Sequence, residues 1–183
     1  MTRSNSFRRR TRRRGASPLR SAAACTAGQA LVEAALILPL LLILVLALIE
    51  SGNGLSIKHK MAVLTREGAN IASRGSSLQE TLDVVMNGGA EIDLSAKGGA
   101  IISRIVVTGG TPVVANQLAS SGFEERSRLG LPDSTSVALE SIPLAEGQVL
   151  YAVEIIFDYE AMTPLAGLFA RAVTDEVYER AIF

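Results

Sequence analysis

An apolar segment as long as a membrane is thick, with a glutamate near its start and another at its end, constrains this chain more than any other feature. Residues 28–33 read Gly28-Gln29-Ala30-Leu31-Val32-Glu33; sixteen apolar residues, 34–49, follow, and Glu50 ends them. The 21 residues 29–49 would span about 31 Å as an α-helix, against a hydrocarbon core about 30 Å thick. The uninterrupted run alone would reach only about 24 Å. That places Glu33 and Glu50 at the two interfaces, or asks the bilayer to thin slightly. Pro39 falls inside the segment. It lacks a backbone donor and should kink the helix, a defect that membrane helices tolerate.

The formal net charge of zero averages two unlike parts. Before Glu33 there are eight arginines (Arg3, Arg8, Arg9, Arg10, Arg12, Arg13, Arg14 and Arg20) and no acidic residue. From Ser51 onward there are 10 basic and 16 acidic residues. An Arg block beside an apolar span is what holds a membrane protein's end in the cytoplasm, so no nucleic-acid partner is inferred from it. The remainder is expected across the membrane, in the bacterial periplasm. The organisation expected is a basic cytoplasmic leader over 1–28, a transmembrane helix over 29–50 and a periplasmic α+β domain over 51–183. The single cysteine, Cys25, lies in the leader, so the outer part has no thiol for a disulfide.

Four targeting patterns compete for this N-terminus. A secretory signal needs small residues after its apolar region, and Glu50-Ser51-Gly52-Asn53-Gly54 fits poorly. A lipoprotein signal puts its apolar residues before the cysteine, whereas here they follow Cys25. A plain signal anchor explains the Arg block and the span but not Glu33. A prepilin signal explains all three: a basic leader, Gly28 as its last residue, and Glu33 as the fifth residue counted from Gln29.

Chemistry gives Glu33 a reason to exist. A charged carboxylate in hydrocarbon costs several kcal/mol unless partnered. Cleavage after Gly28 would free the α-amine of Gln29, which is positive at neutral pH. In a stacked assembly that amine would pair with a neighbour's Glu33 and set the axial register. The bland alternative is that Glu33 only snorkels to the interface.

Three stretches resemble the TadE-like pseudopilins of tight-adherence (Tad, Flp-type) pilus systems. The run Gly28-Gln29-Ala30-Leu31-Val32-Glu33-Ala34-Ala35-Leu36-Ile37-Leu38-Pro39-Leu40 is similar to the family's opening. Arg66-Glu67-Gly68-Ala69 looks like the end of its helical segment. Residues 151–160 with Pro164-Leu165, and then 177–183, resemble its terminal strands. Ala34 departs from the pattern, since many members have Phe there and the abundant Flp pilins have Tyr. The resemblance implies a minor pseudopilin that is not an enzyme and needs no cofactor. Its implied partners are the inner membrane, a prepilin peptidase, other pilin-like subunits and Tad machinery.

The fold expected is α+β: a long N-terminal helix, pilin-like, followed by a small, mostly antiparallel sheet. Gly52 and Gly54 should weaken the helix just past the span. It should then continue after a bend, with Leu55, Met61, Val63, Leu64 and Ile71 laid on the sheet. A short helix over 77–86 would be capped by Ser76 or Ser77 and stopped by Gly88-Gly89. Strands are expected over 100–108, bounded by Gly98-Gly99 and Gly109-Gly110, then over 112–118, 148–159 and 176–183. Residues 120–136 read as a loop, and 163–171 as a short helix opened by Pro164.

Candidate chemistry is sparse. His59, between Lys58 and Lys60, reads as a juxtamembrane surface residue. With no second histidine and no outer cysteine, a zinc site or a Cys–His or Ser–His nucleophile is excluded. The glycine pairs have no lysine placed for a phosphate loop. Glu154, Asp158 and Glu160 share a strand face at period two. Carboxylate-rich calcium sites are known in related pseudopilins, but a solvated sheet face is the preferred reading. Two other functions stay open: an uncleaved membrane scaffold of the secretion machinery, and a secreted enzyme.

Overall fold

The computed structural model describes residues 18–136, 139, 143–163 and 176–183, with side chains from Gly28 onward. Residues 1–17 of the expected leader and 164–171 of the expected short helix lie outside that set. The fold is α+β, as expected: a long N-terminal apolar helix precedes a four-stranded antiparallel sheet. Helix α1, Pro18–Ser73, is followed by α2, Leu78–Gly88, a 3-10 turn over Gly89–Ile92 and a single helical turn, α3, Leu94–Lys97. The strands are β1, Gly98–Thr108, β2, Thr111–Ala119, β3, Val149–Asp158 and β4, Glu176–Ile182, arranged β2-β1-β3-β4.

The chain forms two compact units, Met1–Val45 and Leu46–Phe183. In the second unit α1 is amphipathic. Met61, Thr65, Gly68, Ala69 and Ala72 are buried at helical spacing, and Ile57 and Leu64 pack beside them. Leu55 and Val63, expected on this face, are instead exposed. The 3.6-residue period puts them about a quarter turn or more off the buried stripe. Helix α1 also carries its helical assignment unbroken through Gly52 and Gly54. Gly54 faces the Tyr159 ring, so packing there offsets the weak propensity. Ser77 caps α2, its side chain accepting from the Glu80 N–H at 3.1 Å.

Both faces of the sheet are covered. On one, Ala100, Ile102, Val153, Ile155 and Phe157 meet α1 and α2 residues such as Met61, Ala69, Leu82 and Val85. On the other, Ile105, Val114 and Ala152 pack under Leu129, Leu139 and Leu144 of the β2–β3 connection. The stretch read as a loop is therefore a lid over the second face. Gly98 and Gly99, expected to bound β1, lie inside it. A Cβ on Gly98 would collide with the Ile156 carbonyl, and one on Gly99 with Ser120 and Phe123. Gly109 and Gly110 do turn the β1–β2 hairpin, at φ of 62° and 74°, the signs a two-residue primed turn needs. The Glu146 carboxylate accepts both their N–H groups, at 3.0 and 2.8 Å.

The lid overturns the solvated-face reading at Glu154, while Asp158 and Glu160 are exposed as that reading expects. Glu154 has 0% exposure. It accepts hydrogen bonds from the Ser127 hydroxyl at 2.5 Å, the Arg128 N–H at 2.9 Å and the Tyr178 hydroxyl at 2.6 Å. Asp158 lies 3.6 Å from Arg126, and Glu160, just past β3, pairs with Lys97 at 3.0 Å. Three carboxylates one strand apart are thus spent on three different partners. At the start of β4, opposite Asp158, Glu176 pairs with Arg126 and with Arg128, each at 2.6 Å, and Arg128 stacks on the Tyr178 ring at 4.2 Å. Burial, then the bond to Glu154, pushes the Tyr178 phenol well above its usual range, so it stays a donor. Burial alone would raise the Glu176 carboxyl, but Arg128 and Arg126 outweigh it and hold it below 4.5.

Two glycines of α1 give opposite expectations. A Cβ at Gly68 would lie 2.6 Å from Val85 Cγ2 and 3.3 Å from Val153 Cγ2, and a helical valine has little rotamer freedom to yield. Gly68→Ala should destabilise by about 1–2 kcal/mol through overpacking. A Cβ at Gly52 meets nothing within 4 Å, so Gly52→Ala should stabilise by up to about 1 kcal/mol. Chemical denaturation of the detergent-solubilised chain reads both. Tyr178→Phe removes a donor from a buried carboxylate and should cost about 1–3 kcal/mol in the same assay. The depressed Glu176 pKa contributes stability that is complete above 4.5 and is lost as pH falls through the folded value. Thermal midpoints should therefore drop on that acid limb, and an Arg126→Gln/Arg128→Gln variant should flatten the drop.

Candidate membrane and assembly surface

The four residues singled out in the sequence, Gly28, Gln29, Glu33 and Pro39, all lie on α1 and all are exposed. Gly28 and Glu33 are five residues apart, about 7.5 Å along a helix axis, and no positive φ is recorded for Gly28. Pro39 sits within the helical assignment, which runs on past it. Around them the apolar side chains of the run face away from the protein. Leu31, Leu36, Leu40 and Leu44 are all more than half exposed, and an 18-residue apolar window of the helix has no buried residue. A helix apolar on every side and buried on none suits lipid or other apolar helices, not water.

The run ends in a polar clasp that the sequence did not reveal. The Glu50 carboxylate accepts from the Tyr159 hydroxyl and from the Met162 N–H at 3.2 Å on one oxygen, and from the Thr163 N–H at 2.9 Å on the other. Asn53 Nδ2 donates to the Tyr159 hydroxyl at 3.4 Å. Burial, then the bond to Glu50, raises the Tyr159 phenol above 10.0, so it remains protonated and donating. Glu50 and Tyr159 are 109 residues apart, and no local pattern announces such a contact. The one available signal was an acidic residue at the end of an apolar run, which demands a donor.

About two and a half turns beyond Glu50 the helix surface becomes ordinary. His59 is exposed, and Lys60 pairs with Glu91 at 2.5 Å. Among the described residues no group of three His, Cys, Asp or Glu side chains is placed to hold a metal ion.

Comparison with known proteins bears on the same helix. Residues 28–70 match the model of one family, described as TadE-like protein. No curated protein and no solved structure matches the chain. The matched stretch contains the exposed apolar run, Glu33, Pro39, Glu50 and Gly68, but not the residues that Glu50 and Gly68 meet. Over residues 28–70, which hold the apolar run and the start of the sheet-packed part of α1, the chain is similar to the TadE-like family.

Proposed function

We propose that this protein is a minor pseudopilin of a Tad-type (Flp) pilus system, acting through helix packing and subunit contact. It inserts into the bacterial inner membrane as a single-pass protein with its Arg-rich end in the cytoplasm and residues 51–183 in the periplasm. A prepilin peptidase cuts between Gly28 and Gln29. The helix over 29–50 then packs with pilin-like subunits and the Tad machinery. Glu33 meets the freed α-amine of a neighbouring subunit, Pro39 bends the helix, and the sheet domain offers a surface to partners.

The observation that carries this reading is where the family match begins. It starts at residue 28, the glycine that a prepilin peptidase would leave as the last leader residue. The Arg block supports the cytoplasmic placement of the leader. The same block favours a second reading, an uncleaved scaffold whose arginines hold anionic headgroups.

The mature N-terminus separates the two. Intact-mass and terminal-peptide mass spectrometry of protein from native membranes should find a start at Gln29. A start at Met1 or Thr2 would assign the scaffold role instead. Glu33→Ala should leave membrane insertion unchanged and reduce the number of pili seen by electron microscopy. Normal piliation in that variant would remove the register role.

A further inference from the structure

Glu50 fixes more than the end of the apolar run. Its carboxylate holds the backbone N–H groups of Met162 and Thr163, so the segment after β3 is pinned to α1 at the level where the apolar residues stop. The side chain presented there is not polar. Met162 is 73% exposed, and Leu55, on α1 itself, is 70% exposed. They are among the most exposed large apolar side chains outside the run. Leu55 is five residues beyond Glu50, about 7.5 Å along the helix. The headgroup layer on each side of a bilayer is about 5–7 Å deep. If the run spans the membrane, Met162, held against Glu50, falls in that layer and Leu55 lies at its outer edge.

We propose that the Glu50 clasp seats residues 159–163 on the phospholipid headgroup layer, with Met162 inserted beside the helix. This rests on the single-pass membrane reading above. Lipid is the occupant because the surface is continuous with the lipid-facing run: Ile49 precedes Glu50 directly, and Met162 N lies 3.2 Å from the Glu50 carboxylate. The chemistry suits the place. Methionine is unbranched and adapts to an irregular apolar layer. Tyr159, which supports the segment by its hydroxyl bond to Glu50, is a residue type enriched at membrane interfaces. The clasp leaves Glu50 itself bonded to protein donors, so its charge does not oppose the contact. The span and the seated segment together would hold the sheet domain at a fixed height.

The test uses the full chain with Cys25→Ser, reconstituted in phosphatidylethanolamine/phosphatidylglycerol vesicles that carry nitroxide lipids. The nitroxide sits either at the headgroup or deep in the acyl chain. An environment-sensitive fluorophore is attached through Met162→Cys, through Leu42→Cys within the run, or through Leu131→Cys on the lid. The label at 162 should lose fluorescence with the headgroup nitroxide and the label at 42 with the deep one, while 131 stays bright. Quenching at 42 with none at 162 would overturn the seating and leave the membrane span standing. No quenching at 42 would overturn the membrane reading, and the seating with it. Adding Glu50→Ala should abolish quenching at 162 and spare it at 42. Quenching at 162 that survives Glu50→Ala would overturn the part assigned to the clasp.

Discussion

One helix has to be stable in two different surroundings, and the rest of the structure follows from how α1 does so. Helical hydrogen bonding satisfies nearly every backbone group without outside help, so the same helix persists whether its side chains meet apolar matter or the sheet. What changes along it is the side-chain pattern. Up to Ile49 the apolar residues surround the axis; beyond Glu50 they narrow to the stripe of Ile57, Met61, Leu64 and Ala69 that covers the sheet. Glu50 stands at that change with its carboxylate fully engaged.

The sheet shows a second balance, between apolar cover and polar fastening. Its helix-covered face is a plain hydrophobic interface. Its other face is closed by a connection whose described residues form no named strand or helix, held by turn bonds and by backbone bonds to Pro112 and Val114 of β2. Glu154 adds a buried polar fastening to these. A buried carboxylate is costly unless fully bonded, and three donors, two of them the lid's own Ser127 hydroxyl and Arg128 N–H, satisfy it only when the lid sits in one register. The ion pairs of Glu176 with Arg126 and Arg128 lie at the more exposed margin and contribute less.

Much of this was readable in the chain. Ser77 announces α2 by its hydroxyl, and the Gly109-Gly110 turn announces the hairpin. Period-two runs of β-branched residues mark β1 and β3, because these patterns are set by neighbours in sequence. The membrane-like run and the Gly28–Glu33 spacing are local for the same reason. What escaped was long-range. Alternation put Glu154 on the face opposite Val153 and Ile155, which is correct, but water on that face was an assumption, and Leu129 and Leu139 displace it. The Glu50 clasp joins residues more than a hundred positions apart. Gly98 and Gly99 looked like punctuation because their real constraint, the carbonyl of Ile156 and the ring of Phe123, lies elsewhere in the chain.

The strand order β2-β1-β3-β4 also sets a timetable. Helices α1 and α2 and the β1–β2 hairpin involve contacts close in sequence and can form as soon as they are made. The strand that must lie between the hairpin and β4, and beneath α1, is β3, which begins only at Val149. Until it arrives, Met61 and Ala69 lack Val153 and Ile155, and the lid has no Glu154 to hold it. Closing so long a loop is slow. For a chain delivered from its N-terminus, with α1 leading, the sheet domain acquires its core as a single late event, when the last fifth of the sequence comes into place.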